Sequence, residues 1–332
     1  MKKGTRAMTK TVLVTGGAGF IGSHLCEMYL KEGYKTICYD NFVSGKKENI
    51  EHLLNHENFH LKEADICDEA ALEEVFEAYK PNIINHHAAQ KSVPYSVENP
   101  LYDLHENLEG LLKIIACIKK YPIETFVFIS SGGALSSMLE EGEQSSEDDK
   151  PQLISPYAIT KFAGEQYIKL YAKELDFNFM ILRYANVYGP RQVPDGESGV
   201  IPIFLNNIFA KKESVLMAFP DMPKGCTRDY VNVSDVVEAN RLGTEHPINE
   251  LVNIGSGKEE AILDIYEMIL EVFQEDVPIR ITGPRKGDIK RSVLAISRAG
   301  KLLDWKPKMS LRAGLENLKE FELDKQSFSK QI

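Results

Sequence analysis

Through its first half the chain alternates short apolar runs with longer stretches whose apolar residues recur every three or four positions. Thr11-Val12-Leu13-Val14 is a run of the first kind. Ser23-His24-Leu25-Cys26-Glu27-Met28-Tyr29-Leu30 is a stretch of the second. The runs predict strands at 11–16, 34–40, 59–64, 82–87, 125–130 and 178–184, and the stretches predict helices at 21–32, 68–79, 99–120 and 157–174. Parallel neighbours need crossover connections, so this alternation predicts an α/β fold with a doubly wound parallel sheet. Ligands of such a sheet bind at the carboxyl ends of its strands. After residue 185 the alternation loosens. Gly189-Pro190, Pro194-Asp195-Gly196 and Pro220-Asp221-Met222-Pro223 punctuate short segments, and helical patterns return at 234–245, 260–274 and 310–323. The expected organisation is a disordered tail over 1–10, a nucleotide-binding domain over 11–184, and a smaller α/β domain over 185–332 with some segments returning to the first.

The run Thr15-Gly16-Gly17-Ala18-Gly19-Phe20-Ile21-Gly22 turns the first strand into the first helix. Gly16 permits the tight turn, Gly19 lets a pyrophosphate approach the backbone, and Gly22 lets the helix pack close on the strand. Backbone N–H groups then gather at a helix N-terminus, as in the Rossmann dinucleotide site, with Phe20 and Ile21 inside the cofactor turn. A glycine triplet alone is an ordinary turn. Here the strand before it, the helix after it, and Asp40 at the end of the next apolar run select the dinucleotide reading, since a carboxylate there accepts hydrogen bonds from an adenosine ribose.

Composition narrows the partners. A net charge of −10 over 332 residues argues against nucleic acid. No apolar run approaches the ~20 residues of a membrane span, and the basic first ten residues lack the apolar core of a signal peptide. Five scattered cysteines without C-x-x-C pairing read as buried free thiols of a cytoplasmic protein. No metal site is signalled: His86-His87 is the one histidine doublet, without a third ligand at metal spacing, and reads as packing beside a ligand. The acidic stretch 140–149 reads as an exposed, solvated loop.

Ser155-Pro156-Tyr157-Ala158-Ile159-Thr160-Lys161 carries the chemistry. Tyr157 and Lys161 share a helix face one turn apart. An ammonium beside a phenol lowers its pKa from about 10 toward neutrality, making an acid/base for alcohol–ketone interconversion beside a hydride acceptor. The spacing alone also fits a surface pair; its position some 140 residues after the glycine turn makes it specific.

With these motifs the chain resembles the extended short-chain dehydrogenase/reductase family, and within it the NAD-dependent nucleotide-sugar epimerases. The resemblance spans 11–320 and rests also on Asp40-Asn41, Asp65-Ile66, His86-His87-Ala88-Ala89-Gln90, Ser130-Ser131-Gly132-Gly133-Ala134, Leu182 to Arg191, and Arg228-Asp229-Tyr230-Val231. It implies that Asp65 and Ile66 flank the adenine of NAD, next to Asn41. Ala88, Ala89 and Lys91 would line the cofactor along the fourth strand end, with Asn107 near it. Tyr157 would be the base, and Lys161 would hold the nicotinamide ribose. Asn186, Arg228, Arg285 and Asp288 would hold the nucleotide diphosphate and ribose of a UDP-sugar, as guanidinium forks suit a diphosphate. The family also implies a homodimer formed through the helices at 99–120 and 157–174.

Two positions depart from the family pattern. Where relatives place a Ser or Thr beside the catalytic Tyr, the matching residue here is Gly132, so the neighbouring Ser131 is expected to supply the hydroxyl. Where relatives continue into Tyr-Gly, this chain has Ser136-Ser137. The expected reaction is 4-epimerisation of a UDP-hexose: C4 loses its hydroxyl proton to Tyr157 and its hydride to NAD, the 4-keto sugar turns over, and the hydride returns to the other face. A nucleotide-4-keto-sugar reductase and a non-catalytic NAD-binding regulator remain open. A 4,6-dehydratase is disfavoured because Gly132-Gly133-Ala134 lacks a carboxylate. Ser292 matches a position where a bulky aromatic confines relatives to glucose and galactose. A serine there leaves room for an N-acetyl group.

Overall fold

The computed structural model describes residues 9–136, 139–194, 199–284 and 289–329, with side chains described up to Lys325. The first eight residues of the expected disordered tail lie outside them. Six strands in the first half, β1 (Thr11–Thr15), β2 (Lys35–Asp40), β3 (Phe59–Glu63), β4 (Ile83–His86), β5 (Thr125–Ser131) and β6 (Asn178–Tyr184), match the six apolar runs. The second half adds β7 (Asn186–Tyr188), β8 (Ser214–Met217), β9 (Thr227–Arg228), β10 (Tyr230–Asn232), β11 (Glu250–Ile254), β12 (Glu260–Ala261), β13 (Ile279–Thr282) and β14 (Arg291–Ser292). One seven-stranded parallel sheet runs β11-β6-β5-β4-β1-β2-β3. The strand order reverses between β1 and β4, so the crevice for a ligand opens beside Thr15 and His86, which are register partners.

Side-chain alternation along the strands feeds two cores. Leu13, Ile37, Phe126, Phe128 and Ile181 face the helices Glu69–Tyr79, Gly110–Lys120 and Pro156–Leu175. Val12 and Val14 face the helix Phe20–Lys31, and Val127, Met180 and Leu182 face Val233–Glu245. The second half therefore returns to the sheet through Val233–Glu245 and β11. The rest of it builds a separate core from the helices Val200–Phe209, Ile262–Phe273 and Leu311–Ser329, where Phe204, Ile208, Tyr266, Ile269 and Leu315 meet.

Several elements differ from the periodicity. The helix expected over 99–120 is three pieces: Pro100–Leu104, a π-helical turn His105–Glu109, and Gly110–Lys120. Such bulges recur at functional sites, and this one carries Asn107. Residues 93–98 form a further helix, capped by Ser92, that is too short to show a period. Val200–Phe209 was hidden because its first six residues are all apolar and show no stripe. The acidic stretch is not simply solvated: Ser145 bridges to Leu294, the Glu147 carboxylate accepts from the Asn253 N–H at 2.9 Å, and Asp148 pairs with Arg298. Backbone groups exposed by β11 at the sheet edge recruit it.

Candidate active site

The glycine turn is tightly built. Gly16 has φ +67°, and a Cβ there would lie 2.8 Å from the Ala88 nitrogen. A Cβ on Gly22 would run into the Gly16 carbonyl oxygen. Gly19 caps the following helix without any side-chain hydrogen bond. Asp68, Ser92, Ser131, Ser155 and Asn232 cap their helices through their side chains, whereas Gly199, Ala261 and Ile296, like Gly19, do not. The first-turn N–H groups behind Gly19 thus lack a side-chain acceptor of their own, which suits an anion. Phe20 and Ile21 open that helix, half-buried.

Asp40 ends β2, where its carboxylate accepts from the Ala18 N–H at 2.9 Å and the Phe42 N–H at 2.8 Å. Burial raises its pKa, and these two bonds oppose the rise. Asn41 donates to Asp65 at 2.7 Å, and Asp65 also accepts from the Cys67 N–H at 2.7 Å. Ile66 is buried against Gly110, which sits too close for any side chain of its own. Asp40, Asn41, Asp65 and Ile66 therefore lie along the adjacent ends of β2 and β3. On the other side of β1, Thr15 Oγ1 meets His86 Nδ1 at 2.7 Å and accepts from the Ala88 N–H at 3.2 Å. Ala88, Ala89 and Lys91 follow β4 directly, Lys91 exposed. Asn107 donates to the Gln90 carbonyl at 3.0 Å, while its own Oδ1 is buried with no partner. Burial holds His86 and His87 neutral, His86 down to about 3.

Tyr157 and Lys161 stand at the start of the helix Pro156–Leu175, which Ser155 caps. The Ser131 hydroxyl, at the end of β5, lies near enough to the Tyr157 phenol to pull its pKa down. Gly132 lacks the room for such a side chain, since a Cβ there would strike Leu294. Lys161 Nζ lies 5.9 Å from the centre of the Tyr157 ring and donates to the Ile129 carbonyl at 3.1 Å. Burial pushes Lys161 down to about 8, opposed by Asp103 and Glu165. Burial also pushes the Tyr157 phenol up to about 12, with Ser131 pulling it down and Asp103 adding to the rise. This corrects the expectation that Lys161 brings the phenol toward neutrality: burial sets the direction, and Lys161 is not among the groups that shift the phenol.

Residues outside the motifs fix this geometry. Glu165 binds Arg183 through two bonds of 2.7 and 2.8 Å and accepts from Ser130 at 2.6 Å, joining β5, β6 and the catalytic helix. Asp229 accepts from Ser256 N–H and Oγ–H, both at 2.7 Å, from Gly257 N–H at 3.1 Å and from Leu294 N–H at 3.3 Å. It thereby anchors Leu294 against Gly132. Periodicity and spacing single out none of the three hubs Glu165, Arg183 and Asp229, because their partners are remote in sequence.

The smaller lobe brings Asn186, Arg228 and Ser292 together. Asn186 donates to the Asp229 carbonyl at 3.0 Å, and Ser292 is the register partner of Arg228. Arg228 donates to the Thr227 carbonyl at 2.7 Å. Ser292 Oγ lies 3.5 Å from Ser136 Oγ, next to the Ser131 turn. Arg285, Asp288 and Ser137 lie outside the described residues. Among the described residues no group of three His, Cys, Asp or Glu is placed to hold a metal, and no helix is long and apolar enough to cross a membrane.

The residues present fit a dinucleotide: a helix start without a side-chain cap, a cradle that a Cβ would fill, a carboxylate at the end of β2, and an orphaned acceptor on Asn107. Fold and site define a Rossmann-type α/β enzyme with a Ser–Tyr–Lys constellation. Residues 12–255 match the model of the NAD dependent epimerase/dehydratase family, and the chain belongs to that family. Its cofactor is NAD. It is 36% identical over 308 residues to a putative UDP-glucose 4-epimerase of Methanocaldococcus jannaschii, covering 92% of this chain and 96% of that one. A crystal structure of the UDP-glucose 4-epimerase of Thermotoga maritima with UDP-glucose is similar at TM-score 0.88 and 39% identity, over 95% of this chain and 99% of that chain. The UDP-N-acetylglucosamine 4-epimerase of Methanobrevibacter ruminantium, in complex with UDP-N-acetylmuramic acid, is similar at TM-score 0.87 and 31% identity, over 96% and 99%.

Proposed function

We propose that the protein interconverts the C4 epimers of a UDP-hexose on NAD that stays bound throughout. The observation that carries this reading is the Ser131–Tyr157–Lys161 cluster at the sheet crevice, next to the glycine turn. The turn 15–22, Asp40, Asn41, Asp65, Ile66, Ala88, Ala89, Lys91 and Asn107 hold NAD, which supplies the hydride acceptor and donor. Tyr157 takes the C4 hydroxyl proton and later returns it. Ser131 holds the reacting phenol, and Lys161 binds the nicotinamide ribose. With NAD held there, its positive nicotinamide would act with Ser131 to favour the phenolate of Tyr157 against burial. Asn186, Arg228, Arg285 and Asp288 grip the UDP, so the 4-keto hexose turns while the nucleotide stays fixed. UDP-sugar 4-epimerases among the similar proteins support the substrate class.

The residues around Ser292 are small: its Oγ lies 3.5 Å from Ser136 Oγ, and a Cβ added at Gly133 would lie 3.7 Å from it. This favours acceptance of a 2-acetamido group. UDP-N-acetylglucosamine and UDP-N-acetylgalactosamine are expected to be handled at least as well as UDP-glucose and UDP-galactose. Comparing kcat/KM for the four sugars in wild type and Ser292→Tyr tests this. Strict preference of the wild type for plain sugars, or no selective loss of acetylated ones in the variant, removes Ser292 as the gate. The enzyme works in the cytoplasm as a homodimer. The support for pairing is a set of exposed apolar residues, Val97 at 60%, Leu101 at 81%, Ile154 at 61% and Ile159 at 50%, on the adjoining helices 93–104 and 156–175 and the segment before the latter.

A further inference from the structure

We propose that Asp103 is a positioning residue: it ties the catalytic helix to the cofactor-side segment. Its side chain is fully buried. One oxygen accepts from Gln90 Nε2 at 2.8 Å and Asn107 Nδ2 at 3.0 Å, and the other from Thr160 Oγ1 at 2.7 Å. These three donors come from the segment after β4, the π-helical turn, and the turn of helix between Tyr157 and Lys161. Thr160 Oγ1 also lies 3.1 Å from the Tyr157 carbonyl oxygen. All three donors are uncharged, so the carboxylate keeps its full field. That field raises both Tyr157 and Lys161. The other groups around the pair are accounted for. Ser131 faces the phenol from β5, and the Ser96 hydroxyl binds the Tyr157 N–H at 3.2 Å. Glu165 is bound by Arg183, and His86 and His87, which feel Lys161 from β4, are neutral.

The inference rests on Tyr157 being the acid/base. A negative charge disfavours phenolate and favours ammonium, so neutralising it lowers both pKa values. In Asp103→Asn the acid limb of the kcat–pH profile is expected to move down by about one pH unit, and the alkaline limb to move the same way. NAD affinity should also fall, as Gln90 and Asn107 lose their shared anchor. An unshifted profile together with wild-type NAD affinity in a folded Asp103→Asn enzyme overturns the proposal. If that variant does not accumulate folded, Thr160→Val decides: it keeps the charge and severs the link to the helix. It must lower kcat at saturating NAD without moving the limbs, and wild-type kcat in it overturns the positioning role. Tyr157→Phe, assayed alongside, separates the two readings. If it keeps full activity the acid/base assignment itself fails, whereas an inactive Tyr157→Phe with an unshifted Asp103→Asn profile and wild-type NAD affinity refutes Asp103 alone.

Discussion

Removal of the Ser131 hydroxyl tests how the phenol is tuned. It opposes the upward push of burial on the Tyr157 phenol, as a hydroxyl that hydrogen-bonds the phenolate would. A hydrogen bond to a charged group contributes about 1.5–3 kcal/mol, and one pKa unit corresponds to about 1.4 kcal/mol. Ser131→Ala should therefore raise the Tyr157 pKa by about one to two units. The sign follows from the bond favouring phenolate: without it, deprotonation needs higher pH. At neutral pH, kcat should fall by about 10- to 100-fold, the acid limb should move up in pH, and the variant should approach wild type at the alkaline end. Ser131→Thr retains the hydroxyl and should restore most of the rate. Ser131 also caps the turn at 132–135 through the Ala134 N–H at 3.2 Å, so a stability loss of about 1 kcal/mol is expected as well. Kcat–pH profiles with saturating sugar and NAD, set beside thermal melts, separate the two effects. An equal loss at every pH, or no loss, refutes the tuning role.

Two further changes probe the scaffold. Gly22→Ala forces a Cβ into the Gly16 carbonyl, whose surroundings are backbone and cannot yield, so NAD binding measured by calorimetry should be lost or reduced more than 100-fold, about 3 kcal/mol, while the fold persists; wild-type affinity counts against the turn as the pyrophosphate site. Leu101→Glu places a charge on the most exposed of the apolar residues at 93–104 and should convert a dimer to a monomer in light scattering, whereas an unchanged mass places the interface elsewhere.

The sheet, the glycine turn and the helix start that carries Tyr157 and Lys161 were legible because their signals are local. β1 to β6 announce themselves as apolar runs, the glycine turn needs its residues at fixed short spacing, and Tyr157/Lys161 is one helical turn. What stayed hidden depends on contacts between distant segments. Asp103 collects Gln90, Asn107 and Thr160, and Glu165 meets Arg183 from another strand. Nothing in the neighbourhood of either carboxylate distinguishes it from a surface acid. β11 carries only a short apolar run in the irregular second half, and its place beside β6 is set by tertiary pairing. The phenol's environment stayed hidden for the same reason: helical spacing reveals the nearby ammonium, while the burial that raises the phenol comes from the rest of the fold.

The most direct test of the epimerase reading is turnover without added cofactor. The purified wild-type protein should carry NAD and interconvert UDP-hexose C4 epimers with no net reduction or oxidation. Tyr157→Phe should keep the NAD and lose about 10²–10⁴-fold in turnover. Wild-type turnover in Tyr157→Phe, or a wild-type reaction that consumes NADH or NADPH in step with product, would contradict the account.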